Sequence, residues 1–266
     1  MNPLQLIFVD WALMALVMVG LWRWQLRTGE ADGVDLGWTA GLGVAAVLYA
    51  VGLDGGLPER RLLVAVLAVL WSGRLAIYLW DRVRTPGEDG RYTRLRAEWG
   101  VDAHRKLFRF YQMQAVSVPL LAAQFMMAML HPASGLRVWD FLGAAVVILS
   151  VGGEAVADRQ LHAWRKDPTN RGQTCSHGLW RYSRHPNYFF EWLHWCGYVV
   201  IAIGSPWWPA TLVVPLIMYV LVRYVTGIPP TEAQSVRSRG DDYRRYQRMT
   251  NAFFPGPPRP DPMSPA

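Results

Sequence analysis

Long apolar runs recur along this chain and leave few folds open to it. A helix needs about 20 mainly apolar residues to cross the hydrocarbon core of a bilayer. Seven windows have that length and character: roughly 4–22, 36–53, 62–80, 112–130, 138–157, 188–204 and 206–225. A soluble chain of 266 residues would form one or two domains, without gathering its apolar residues into such runs. An apolar share of 52% and 14 Trp fit a bilayer instead. The expectation is an all-α, polytopic membrane protein, with seven transmembrane helices in a single domain over residues 1–254. The stretch 255–266 carries six Pro and is expected to be disordered. The first window is too long for a signal peptide and lacks its small-residue cleavage site, so it is read as a span.

Charge sets the expected orientation. Of the 27 Lys and Arg, 22 fall between spans one and two, three and four, five and six, and in the tail. Seven spans put all four segments on one face. The positive-inside rule makes that face cytoplasmic, with the N-terminus outside. Arg60 and Arg61 break the rule from a short loop of the opposite face. Topology and anionic lipid account for most of the net charge of +7, so it needs no nucleic-acid partner. Cys175 and Cys196 are too few for a disulfide framework and match no metal-ligand spacing. No His-box or His-Glu-x-x-His motif is present, and no metal is expected.

Ionisable residues inside spans are expensive and mark function by default. Asp35, Arg74, Glu154, Glu191, His194 and Arg223 fall in the cytoplasmic third of five spans, with Asp10 and Asp54 on the outer half. Snorkelling to the interface suits Arg223. Short carboxylates snorkel poorly, so a polar pocket open to the cytoplasm explains the set better.

The densest stretch runs from Glu154 to Trp195. Glu154, Asp158, His162 and Arg165 share one helical face, and Asp167-Pro168 ends that helix. A Gly-bearing loop then leads to Gly178-Leu-Trp-Arg-Tyr-Ser-Arg-His-Pro-Asn-Tyr188, with Pro186 suited to the first turn of span six. Asn187, Glu191 and His194 share a face beside Trp192 and Trp195. Arg165, Lys166, Arg171, Arg181 and Arg184 could neutralise phosphates, aided by the span-six N-terminus. Asn187 and Glu191 could bind an amide. The plainer reading of the arginines, lipid headgroup contact, does not explain Asn and Glu on the same face.

Residues 178–191, read through Glu191, resemble the signature of the steroid 5-alpha-reductase superfamily, in a bacterial branch first described as a domain of unknown function. The similarity extends to Val34-Asp35-Leu-Gly-Trp38, Arg74, Gly87-Glu-Asp-Gly-Arg-Tyr92, Asp158 through Arg171, Gly227-Ile-Pro-Pro-Thr-Glu232 and Tyr243 to Pro255. It implies seven helices with NADPH in a cytoplasmic-side cavity and hydride transfer to the conjugated C=C of a 3-oxo-Δ4 steroid or similar enone lipid. A bacterial inner membrane is expected, in which the charge asymmetry makes the N-terminus periplasmic and the C-terminus cytoplasmic. Asp158, Arg165, Asn187 and Glu191 fall on cofactor-contacting positions, with a looser match at Arg171 and Arg84. Lys166, Tyr182, Arg184, His185 and Trp195 complete the expected cofactor set. The steroid enzymes carry a Gln-Glu pair in span two and a partnering Tyr. This chain lacks both, with Trp71 near the Tyr position, and Asp35 is the nearest carboxylate.

Hydride attack at the β-carbon of an enone drives charge onto the carbonyl oxygen, and a donor aimed there stabilises it. Asp35 is expected to supply that donor, which requires its protonated form. Its plainer reading is a charge complementing the N-terminal dipole of span two. A second enzyme class shares an Arg-His-Pro-x-Tyr segment: membrane methyltransferases of the isoprenylcysteine carboxyl type, which use S-adenosylmethionine. That cofactor carries no phosphate, so Arg165, Lys166 and Arg171 favour NADPH. A third reading is a sterol-binding membrane protein without catalysis.

Overall fold

The computed structural model describes residues 1–84 and 87–261. Residues 262–266 of the Pro-rich stretch lie outside the described residues. Every regular element is helical among those described. The long helices are α1 (Pro3–Thr28), α2 (Gly33–Gly52), α3 (Pro58–Arg84), α5 (Ala103–Met129), α6 (Val138–Lys166) and α7 (Pro186–Ala202). Shorter ones are α4 (Gly90–Trp99), α8 (Trp208–Thr211), α9 (Val213–Val220), α10 (Ile228–Arg239) and α11 (Asp241–Met249), with a π-helical turn at Leu221–Val225.

Five helical stretches are long and apolar enough to cross a membrane: Pro3–Thr28, Gly33–Gly52, Pro58–Arg84, Val138–Lys166 and Trp208–Arg239. They fit an integral membrane protein. Their surfaces agree, since Leu4, Phe8 and Leu16 of α1 and Leu62 and Val66 of α3 are more than half exposed, an apolar display that water would penalise. The other two expected spans fall short for identifiable reasons. Helix α5 carries Gln112, Gln114 and Gln124, and α7 has only 17 residues.

The chain divides into two compact units, residues 1–144 with 198–211, and residues 145–197 with 212–266. In the first, α1 begins on a reciprocal cap. The Gln5 N–H donates to Asn2 Oδ1 at 2.9 Å and the Asn2 N–H to Gln5 Oε1 at 3.1 Å. It ends at Gly29, whose φ of 80° suits a residue without Cβ. Small residues let α2 press against its neighbours: a Cβ on Gly33 would lie 2.9 Å from the Trp24 ring, and one on Gly41 would lie 2.5 Å from Met14. The buried Asp10 carboxylate accepts from the Tyr49 hydroxyl at 2.8 Å.

Arg60, the exception to the charge rule, is fully buried and holds the Asp140 carboxylate at 2.9 and 3.2 Å. It also donates to the carbonyls of His131, Ala133 and Gly135. Arg137 adds its backbone N–H to Asp140 at 2.7 Å and its guanidinium to the Ile201 and Ile203 carbonyls. A buried charge without such partners would cost several kcal/mol.

The second unit centres on aromatic packing. Phe189 and Trp192 of α7 meet Tyr219, Phe253 and Phe254 edge-on or tilted, with ring centroids 5.7–6.2 Å apart, over Val222 and Ile228. The Trp192 indole donates to the Pro215 carbonyl at 2.9 Å. Residues 255–261 are held by hydrogen bonds from Gly256 to the Tyr182 carbonyl and from Arg259 to the Met249 carbonyl, and by an ion pair from Arg245 to Asp261 at 2.7 Å.

Candidate functional site

In the second unit, the end of α6, the loop that follows it and the start of α7 come together. The Trp180 indole donates to the Ala157 carbonyl at 2.9 Å, and the Leu179 N–H donates to Gln160 Oε1 at 2.9 Å. Gly178 sits at φ +59°, where a Cβ would collide with the Gln160 amide. Fixed this way, the loop delivers Asn187 to Asp158, with Nδ2 to Oδ1 at 3.3 Å. These two predicted cofactor residues are therefore neighbours, 29 positions apart in sequence. Both are partly accessible, as is Glu191 one turn further along α7.

Arg165, Lys166 and Arg171 are exposed around the C-terminal end of α6. Among the described residues none of the three has a carboxylate within ion-pair distance. Arg184 and His185 have a different environment. Arg184 Nε lies 2.6 Å from Glu232 Oε1 and its Nη1 donates to the carbonyls of Gln247 and Thr250. His185 Nε2 lies 3.2 Å from the same Glu232 oxygen. The Gln247 amide donates to the other at 2.8 Å. Burial pushes the His185 pKa below its usual value, against the pull of Glu232. Arg184 and His185 thus tie the motif to α10 and α11, with Arg184 Nε and Nη1 and His185 Nε2 engaged within the protein. Tyr246 reinforces the tie by donating to the Trp180 and Ser183 carbonyls. Tyr182 is exposed, and Trp195 is fully buried with its ring 4.5 Å from that of His194.

Glu232 is the residue that sequence reasoning missed as the hub of this region. Its signal lay in Gly227-Ile-Pro-Pro-Thr-Glu232, where a carboxylate follows a Pro pair at a helix start.

Asp35 and Arg84 belong to the first unit. Asp35 accepts from Arg91 Nη2 and from the Tyr92 hydroxyl, each at 2.8 Å, with Arg82 Nη2 at 3.8 Å. Arg82 also contacts Asp32 at 2.9 Å and Asp89 at 2.6 Å. Glu88 accepts from Arg96 and from the Ala31 N–H. Two guanidiniums and a phenol thus surround one carboxylate, and Asp35 is an acceptor in this network. Arg84 is exposed, its guanidinium 5.8 Å from the Trp80 ring centroid.

An open groove of about 520 Å³ runs between α2 and α3, lined by Ala40, Gly43, Val44, Val47, Ser72 and Gly73 among others. Its apolar walls offer nothing to a phosphate. Among the described residues, no cluster of His, Cys, Asp or Glu has the arrangement of a metal site.

The chain belongs to the DUF1295 family, described as proteins of unknown function, whose model matches residues 21–250. It is 27% identical over 265 residues to an uncharacterized protein of the fission yeast Schizosaccharomyces pombe, covering 88% of this chain and 75% of the relative. No solved structure matches.

Proposed function

We propose that this DUF1295 protein is a membrane-embedded reductase that uses NADPH to saturate the conjugated C=C bond of a 3-oxo-Δ4 steroid or a similarly shaped enone lipid. The reading rests on the resemblance of residues 178–191 to the steroid 5-alpha-reductase signature. The observation that carries it is the Asp158–Asn187 pair in the same unit as three exposed cations, Arg165, Lys166 and Arg171, that have no carboxylate partner among the described residues. That donor set fits a dinucleotide: guanidinium and ammonium groups for phosphates, and an amide with carboxylates for the ribose and carboxamide. When bound, NADPH would supply the hydride. Asn187 and Glu191 would orient the cofactor amide, and Arg165, Lys166 and Arg171 would neutralise phosphates, the 2′-phosphate included. Hydride addition at the substrate β-carbon moves the C=C electron pair toward the carbonyl oxygen, and a proton from water then completes the α-carbon.

The same reading takes α5 and α7 as spans, for seven in all, with the N-terminus periplasmic and the C-terminus cytoplasmic in a bacterial inner membrane. S-adenosylmethionine, the cofactor of the rival methyltransferase reading, carries one carboxylate and no phosphate, too little anionic charge for three cations.

The test is titration of the purified protein with NADPH, NADH and S-adenosylmethionine, followed by incubation with testosterone. We expect NADPH to bind more tightly than NADH by about tenfold or more, since each charge-assisted contact contributes roughly 1.5–3 kcal/mol. Asn187→Ala and Glu191→Gln should lose that binding, and mass spectrometry should show testosterone gaining two hydrogens. Binding of S-adenosylmethionine in place of NADPH would overturn the proposal.

A further inference from the structure

Cations gather in the second unit where α6 and α10 end and α11 begins. Arg239 is the last residue of α10, and Gly240, at φ +56°, turns the chain directly into α11. The turn sets the Arg239 guanidinium over the Tyr243 ring, 4.8 Å from its centroid. Tyr243 is a fixed platform. It is buried and packs edge-on against Tyr246, whose hydroxyl is held by the Trp180 and Ser183 carbonyls. Arg239 is itself half-buried. Its Nε is enclosed and meets no acceptor among the described residues.

Arg165 of α6 stands within electrostatic reach. The charges of Arg165 and Arg239 act on each other, and both act on the buried Cys175 thiol. Two guanidiniums so placed repel, and a protein usually answers with a carboxylate between them. The field of the Asp242 carboxylate reaches Arg239, but its Oδ2 accepts from the Thr174 N–H at 2.7 Å. Among the described residues Asp242 forms no ion pair with either guanidinium. Cations at a helix C-terminus complement its dipole, and Arg237, exposed in the same turn and bonded to Gln234, meets that need for α10. The dipole does not explain a second guanidinium half-buried on a tyrosine within reach of Arg165. A dianionic oxygen group does, since guanidiniums take phosphate oxygens along their edges while an aromatic ring covers one face.

We infer that Arg239 and Arg165 together form the binding site of a phosphate monoester, with Tyr243 as the positioning residue that holds the Arg239 fork. The inference rests on the reductase reading for the source of that group, the 2′-phosphate of NADPH. It gives the distinction between NADPH and NADH to Arg239, a residue outside the 178–191 motif and outside the cofactor set expected from it. It also singles out Arg165 among the three exposed cations of the same unit. Every participating side chain lies in that unit.

The test titrates the purified full-length protein in detergent with NADPH and NADH, and with 2′-AMP and adenosine, which probe the monoester without the nicotinamide. The wild type should prefer the phosphorylated member of each pair about tenfold or more, the range of a charge-assisted contact. Arg239→Gln and Arg165→Gln should each bring both preferences to about threefold or less. NADH affinity, which does not depend on the monoester, should persist in both and reports on folding. Tyr243→Leu should weaken the preferences and Tyr243→Phe, which keeps the ring, should retain them. Arg237→Gln removes the same charge from the same turn and should change neither. Unaltered preferences in Arg239→Gln, or an equal loss in Arg237→Gln, overturn the inference. Phosphatidate added to the micelles offers the same monoester on a lipid headgroup. Its Arg239-dependent binding, with no preference for 2′-AMP over adenosine, overturns the cofactor assignment. The two proposals fail separately. An Arg239-dependent 2′-AMP preference in a protein that never reduces testosterone keeps the monoester site and sinks the reductase. Reduction by NADPH with unaltered preferences in Arg239→Gln does the reverse.

Discussion

Single side chains set the chemistry of both units, and their roles follow from what each one touches. His185 is buried beside Glu232 and Arg184, and burial lowers its pKa from the ordinary value. A lowered histidine pKa means that the folded state resists protonation, while the unfolded chain binds a proton near pH 6.5. The stability it contributes is therefore complete above that pH and is lost as pH falls toward the folded pKa. We expect the melting temperature in detergent to drop between pH 7.5 and 5.5, and to drop less in His185→Gln. An equal drop in both would remove His185 as the cause. In sequence, His185 entered the expected cofactor set as part of the motif 178–191. Its partner Glu232 lies 47 positions away, a separation that no local pattern encodes.

Helices in this chain are legible from hydropathy, but how closely they pack is decided by small residues. Gly152 and Gly153 are adjacent on α6 and look alike in the sequence. A Cβ on Gly153 would lie 2.5 Å from the Phe190 ring, whereas one on Gly152 would meet nothing within 4 Å. Gly153→Val should cost about 1–3 kcal/mol, the range for overpacking, measured as a lower melting temperature of the purified protein. Gly152→Ala should be neutral, or stabilising by up to about 1 kcal/mol through helix propensity. Equal behaviour of the two variants would contradict the α6–Phe190 packing. Helix α5 illustrates the opposite limit. Its three glutamines keep it from matching the apolar character of the five span-like stretches.

At the scale of the molecule, the charge asymmetry and the proposed seven spans make one joint claim. A reporter active only in the cytoplasm, fused after residue 261, should be active. The same reporter fused between α2 and α3 should be silent. The reverse pattern would invert the topology. Arg60 no longer counts against the positive-inside reading, because it is neutralised by Asp140 within the first unit and does not face the solvent as a free charge.

The apolar windows of the sequence determined the helical class and the membrane character, because hydrocarbon admits only segments whose backbone groups bond internally. Window 36–53 became Gly33–Gly52. Helices α1, α3 and α6 run on past their windows to Thr28, Arg84 and Lys166, since helical hydrogen bonding continues where apolarity stops. The spacing of Asp158 and Asn187 around a Gly and Pro loop was readable in part, as both stand on helices flanking one connection, residues 167–185. The partners of Asp35, Arg60 and Arg184 were not. Each is bound to residues 48 to 80 positions away, and only tertiary packing decides which carboxylate receives which donor.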